Sequence, residues 1–163
     1  MKITFKGNPV TLVGNDVKVG DSAPDFVLTD ANLQRVTIKD THGKRIFVVV
    51  PSIDTPVCDR EVREFNEEAS SLKDVTVYVI SMDLPFAQSR WCGAEGIENV
   101  KMLSDFREKE FGPNYGVYIQ ELGLLARAVF VIDEKDNVVY SEYCEEVSSD
   151  PNYEAALEAV KKI

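Results

Sequence analysis

The chain has 163 residues, 44% of them hydrophobic, with three cysteines, one histidine and a net charge of −10. That length suits one domain, residues 1–163, with a core of its own, and no apolar run approaches the length of a membrane span. The acid excess, with Lys and Arg dispersed, argues against a nucleic-acid partner, and three widely spaced cysteines without a C-x-x-C pair argue against a disulfide scaffold or a zinc knuckle.

The first twenty residues lack the apolar stretch and small-residue cleavage site of a signal peptide, so a cytoplasmic protein is expected. Residues 3–14, ITFKGNPVTLVG, alternate apolar and polar positions around a Gly-Asn-Pro break and predict an N-terminal β-hairpin. A short strand is expected near 26–29, with QRVTI (34–38) as its partner. KRIFVVVPS (44–52) is a continuous β-branched run, the pattern of a strand buried on both faces. Val57, Val62, Phe65, Ala69 and Leu72 then recur at helical spacing over 57–72.

DVTVYVIS (74–81) predicts a second buried strand. Residues 85–96 predict a helix that starts at Pro85 and stops at a glycine. VKML is a short strand, and DFREKEFG (105–112) is expected to be a short helix. The segment from Leu125 to Val147 predicts two long strands joined by a polar turn, with Cys144 in the second, and a last helix begins near 152. Strand–helix–strand units favour parallel pairing with right-handed crossovers, and a hairpin adds antiparallel strands. The expected class is α/β: a thioredoxin-like fold, a mixed central sheet flanked by helices.

Chemistry concentrates at one seam, PSIDTPVCDREVREFN (51–66). Cys58 falls where the loop after a buried strand enters a helix, the end of an α/β sheet where sites gather. A helix start presents unpaired N–H groups and partial positive charge, which favour a thiolate over a thiol. An ordinary cysteine is only a few per cent thiolate at pH 7, and making it mostly thiolate takes about 3–4 kcal/mol. A helix terminus supplies up to about 2 kcal/mol. Asp59 and Glu61 oppose the thiolate and Arg60 and Arg63 offset them, so a further cation from elsewhere in the fold is implied. Pro51 and Pro56 stiffen the loop. Thr55, three positions before the sulfur, is placed to donate to it, to bind a substrate oxygen, or to cap the helix.

PSIDTPVC resembles the Pro-x-x-x-Thr-x-x-Cys motif of peroxiredoxins, and within them the thiol peroxidase family of atypical two-cysteine enzymes. SMDLPFAQSRWCGAEG (81–96) resembles that family's resolving-cysteine segment, and ARAVFVID (126–133) its arginine strand. The likeness spans essentially the whole chain. It implies a peroxide site of Pro51, Thr55, Cys58 and Arg127, with Cys58 as the peroxidatic and Cys92 as the resolving cysteine, and Arg127 as the missing cation. It also implies hydroperoxide substrates, an intramolecular Cys58–Cys92 disulfide, thioredoxin as reductant and a homodimer, with no metal or organic cofactor, because sulfur carries both electrons.

Two other functions fit parts of the pattern. A cysteine hydrolase would pair Cys58 with His42, and a redox sensor would form the Cys58–Cys92 disulfide without turning over. Phe86, Trp91 and Phe106 are expected in the core, with one or two available to line an apolar peroxide pocket. Cys144 is expected to be structural.

Overall fold

The computed structural model covers residues 1–163. Its centre is a seven-stranded sheet. Three parallel strands lie side by side: β6 (Lys44–Val49), β7 (Val75–Ser81) and β8 (Val100–Ser104). On the β6 edge, β11 (Ala128–Ile132) and β12 (Val138–Tyr143) add antiparallel. On the β8 edge, the hairpin of β4 (Val27–Thr29) and β5 (Arg35–Thr37) does the same. The order is β12-β11-β6-β7-β8-β4-β5.

The β-branched runs are buried on both sides, as their composition predicts. Along β6 and the residue after it, Ile46, Val48 and Val50 face one core, and Phe47 and Val49 face the other. The first core is completed by Val62 and Phe65 of α1 (Pro56–Ala69) and by Ala156, Leu157 and Val160 of α4 (Tyr153–Lys161). The second is aromatic, with Phe26, Phe47, Phe111, Tyr115 and Phe130 in edge and stacked contacts. No helix is long and apolar enough to cross a membrane.

Local chemistry sets the helix ends. Thr55 caps α1 and Pro56 fills its first position, where a missing N–H costs nothing. The helix α2 (Pro85–Glu95) starts on its proline and ends at Gly96, whose φ of 66° is left-handed. Asn152 caps α4 by accepting the Ala155 N–H.

Three expectations change. The N-terminal hairpin is shorter than residues 3–14. It joins β1 (Ile3–Phe5) to β2 (Asn8–Val10) through Lys6 and Gly7, both at positive φ. The next strand, β3 (Leu12–Val13), leaves to form a small sheet with β9 (Tyr118–Ile119) and β10 (Leu124–Leu125). The helix expected over 105–112 is instead a turn followed by the short α3 (Phe111–Asn114). Asp105 is buried and its carboxylate accepts the Phe111 and Gly112 N–H groups at 3.2 and 2.9 Å, while Lys109 sits at φ 57°. A helix through 105–112 would break both. Finally, Arg127 and Cys144 lie just outside β11 and β12 and extend that ladder by one bond, Cys144 N–H to the Arg127 carbonyl at 3.0 Å.

Candidate active site

Cys58 is fully buried, at the third position of α1 and directly beyond the C-terminal end of β6. Its N–H is accepted by the Thr55 hydroxyl oxygen at 3.4 Å. That hydroxyl donates its proton to the Ser52 carbonyl at 3.1 Å. Of the roles open to Thr55 in the sequence, the structure therefore shows the cap. The hydroxyl does not donate to sulfur, and its oxygen remains an acceptor.

Prolines alone do not shape the loop. Pro51 is buried beneath it, and Asp83, just past β7, accepts the Ser52 hydroxyl at 2.7 Å and the Ile53 N–H at 2.9 Å. The Ser52 oxygen in turn accepts the Asp54 N–H at 3.1 Å.

The cation demanded by the thiolate argument is present. Arg127 is 2% exposed, with its guanidinium beside Cys58. Burial acts against its charge, but Glu61 and Cys58 outweigh burial and hold it protonated. Two anchors aim it: Nε donates to the Val147 carbonyl at 2.7 Å and a terminal nitrogen donates to Glu61 Oε2 at 2.6 Å.

Glu61 overturns an expectation. It was expected to be an opposing charge of the first helical turn, but it is fully buried and paired with Arg127. Burial pushes its carboxyl up, to about 8, with Arg127 pulling the other way, and its second oxygen has no partner. A signal for this was available. Residues 58, 61, 62 and 65 form one helical stripe that is otherwise apolar, and an acid in such a stripe needs a buried partner. Arg60 and Arg63 do not serve Glu61. They pair with Asp150, and with Asp59 and Glu95.

Pro51, Thr55, Cys58 and Arg127 are thus gathered at one place. Cys92 is not joined to them: all three cysteines are free. Half-buried on α2, Cys92 looks into a separate cavity of about 450 Å³ with Tyr78, Ile97 and Met102. Burial pushes its thiol up. Of the three aromatics, Phe86 is 69% exposed and not core, whereas Trp91 lines a cleft of about 230 Å³ with Ile53 and Ala87. Phe106 is half-buried. His42 is exposed before β6, whereas Cys58 follows that strand's far end. Six residues of strand span about 20 Å, so the two cannot act as a hydrolytic pair.

Cys144 is buried, and burial together with Glu142 and Glu61 pushes its thiol up to about 12. It stays protonated and a poor nucleophile. Cys144→Ser is accordingly expected to leave steady-state turnover unchanged over many cycles. An enzyme that stalls after one turnover would move the resolving role to Cys144.

A buried thiol at a helix start, with a guanidinium alongside, is equipped for two-electron sulfur chemistry at a polarised oxygen. Comparison with known proteins agrees. The Redoxin family model matches residues 18–157. The thiol peroxidase of Clostridium acetobutylicum is 58% identical over 161 residues, 99% of this chain and 98% of its own. That of Bacillus subtilis is 58% identical over 163 residues, with the same coverage. Among solved structures, a peroxiredoxin-like protein from Aquifex aeolicus superposes with a TM-score of 0.92 at 43% identity, covering 99% of this chain and 96% of that one.

Proposed function

The chain belongs to the redoxin family and, within it, to the thiol peroxidases, and from that premise we propose that it reduces hydroperoxides through a Cys58 sulfenic acid and a Cys58–Cys92 disulfide that thioredoxin recycles. The observation that carries this reading is the buried Cys58 at the start of α1 with the Arg127 guanidinium beside it.

In the first step the Cys58 thiolate attacks one peroxide oxygen. The S–O bond forms as the O–O bond breaks, sulfur loses two electrons, and the departing oxygen takes from solvent the proton that the Cys58 thiol had released, to leave as water or an alcohol. Charge moves from sulfur to that oxygen, within reach of Arg127 and the N–H groups of the helix start. The Thr55 oxygen accepts a hydrogen bond from the peroxide O–H while its own O–H stays directed at the Ser52 carbonyl. In the second step the Cys92 sulfur attacks the sulfenic sulfur. An S–S bond forms, the S–O bond breaks, and hydroxide leaves with the Cys92 proton as water. An external dithiol then reduces the disulfide by exchange.

The second step requires motion. A disulfide needs Cα atoms about 4.4–6.8 Å apart, whereas the axes of packed helices lie about 8–10 Å apart. Cys58 and Cys92 sit on different helices and are unbonded. The first turn of α1 and the Cys92 segment therefore loosen before the sulfurs meet. Gly93, inside α2 beside Cys92, makes the latter the easier to unwind.

Peroxide-dependent consumption of NADPH through thioredoxin and its reductase tests the reading. Sustained consumption that disappears in Cys92→Ser is expected. Oxidation of Cys58 that stops after one equivalent in the wild type would favour the redox sensor instead. A homodimer is part of the proposal, and sedimentation at working concentrations checks it.

A further inference from the structure

One continuous series of hydrogen bonds joins the two cysteine-bearing helices. Gln88 lies on α2, one turn before Cys92, and is 1% exposed. Its amide donates to the Leu103 carbonyl at 2.9 Å and to the Ser81 hydroxyl oxygen at 3.1 Å. Ser81 donates to Asp83 Oδ2 at 2.7 Å, the same oxygen that accepts the Ile53 N–H. The other Asp83 oxygen accepts the Ser52 hydroxyl. The Ser52 carbonyl accepts Thr55, and Thr55 accepts the Cys58 N–H.

The rest of α2 is weakly held. Only Pro85 and Gln88 of its eleven residues are buried, so the helix lacks the apolar stripe that fastens α1. Beyond that, Trp91 and Cys92 pack only half-buried against the core that α1 covers, and the Arg63–Glu95 pair is partly exposed at both ends and of the kind that adds little. When α2 leaves the sheet, water can replace both bonds that Gln88 donates.

We propose that Gln88 is a positioning residue, a releasable latch that keeps the Cys92 helix docked while peroxide reacts and whose release sets the rate of disulfide formation. This rests on Cys92 as the resolving cysteine. Asp83 is the hub through which the latch and the Cys58 loop share one carboxylate. Gln88 touches neither sulfur, and when it is cut Asp83 keeps its bonds to Ser52 and Ile53 of the Cys58 loop, so the second step responds and the peroxide step does not.

The test mixes reduced protein rapidly with hydrogen peroxide and follows Trp91, adjacent to Cys92, through two phases, with sulfinic acid on Cys58 quantified by mass in excess peroxide. Gln88→Ala removes two hydrogen bonds of ordinary net strength, an acceleration of the second phase by about tenfold. The first phase stays unchanged, and sulfinic acid, made when a second peroxide oxidises the waiting sulfenic acid, declines. Ser81→Ala, nearly isosteric, cuts the link to Asp83 and moves the second phase the same way, which decides the matter if Gln88→Ala folds poorly.

A second phase that is unchanged or slower in both variants overturns the latch, as does a lowered Tm with both phases slowed together. Failure of the underlying reading looks different. If Cys92 does not resolve, Cys92→Ser retains the wild-type second phase.

Discussion

Cys58→Ser abolishes peroxide turnover. A serine hydroxyl is not ionised near neutral pH, and oxygen does not take up an oxygen atom as sulfur does, so neither the helix start nor Arg127 can restore the reaction. The exchange is small and the site is enclosed by α1 and the first core, so far-UV circular dichroism and Tm should report a folded protein. The companion Cys92→Ser, given one equivalent of peroxide and no small thiol, should stop at the Cys58 sulfenic acid without turning over. A Cys58→Ser protein that keeps a substantial part of wild-type turnover would remove Cys58 from the role of nucleophile.

Arg127→Met should slow peroxide attack by about 10²–10³-fold, the usual loss when one buried donor is removed from a site of developing negative charge. The single variant has a second consequence, because it strands Glu61, which is fully buried with one oxygen already unpartnered. Breaking a buried pair by deleting one partner costs about 3–5 kcal/mol, much of it the penalty of the group left behind. The double variant Glu61→Leu/Arg127→Met leaves no polar group stranded and should recover most of that stability while staying as slow as Arg127→Met. Glu61→Gln alone keeps an oxygen for Arg127 and should remain close to wild type. Second-order rates with hydrogen peroxide, set beside urea midpoints, separate the two effects. If rate returned together with stability in the double variant, Arg127 would be a structural residue and the cation at Cys58 would lie elsewhere.

The strands and helices that carry the site were readable because their signals are local. The run through β6 has no polar face, so it must be covered twice, and two cores cover it. Thr55–Pro56 and Pro85 with Gly96 mark helix ends whatever surrounds them. Local propensity gives way where a distant group outweighs it. The charged run 105–110 favours helix, but the buried Asp105 carboxylate takes the N–H groups of Phe111 and Gly112 and folds the segment back on itself. Strands β3, β9 and β10 have two residues each, too short for any period to show.

The same division runs through the site. By itself the sequence determined that a cysteine begins a helix behind a loop braced by proline, and that this thiol needs one more cation than its own helix offers. Those conclusions follow from neighbours in the chain and from the fixed geometry of a helix start. The resemblance named Arg127 as that cation, and only the tertiary structure decided what holds it in place. Arg127 and Glu61 meet across 66 positions of chain at 2.6 Å, and Gln88 reaches Cys58 only through Ser81, Asp83, Ser52 and Thr55. Such contacts depend on how the sheet orders its strands and on what burial does to charge. Neither is written in the spacing of residues along one element, because a buried charge takes its partner from whichever strand the fold places beside it.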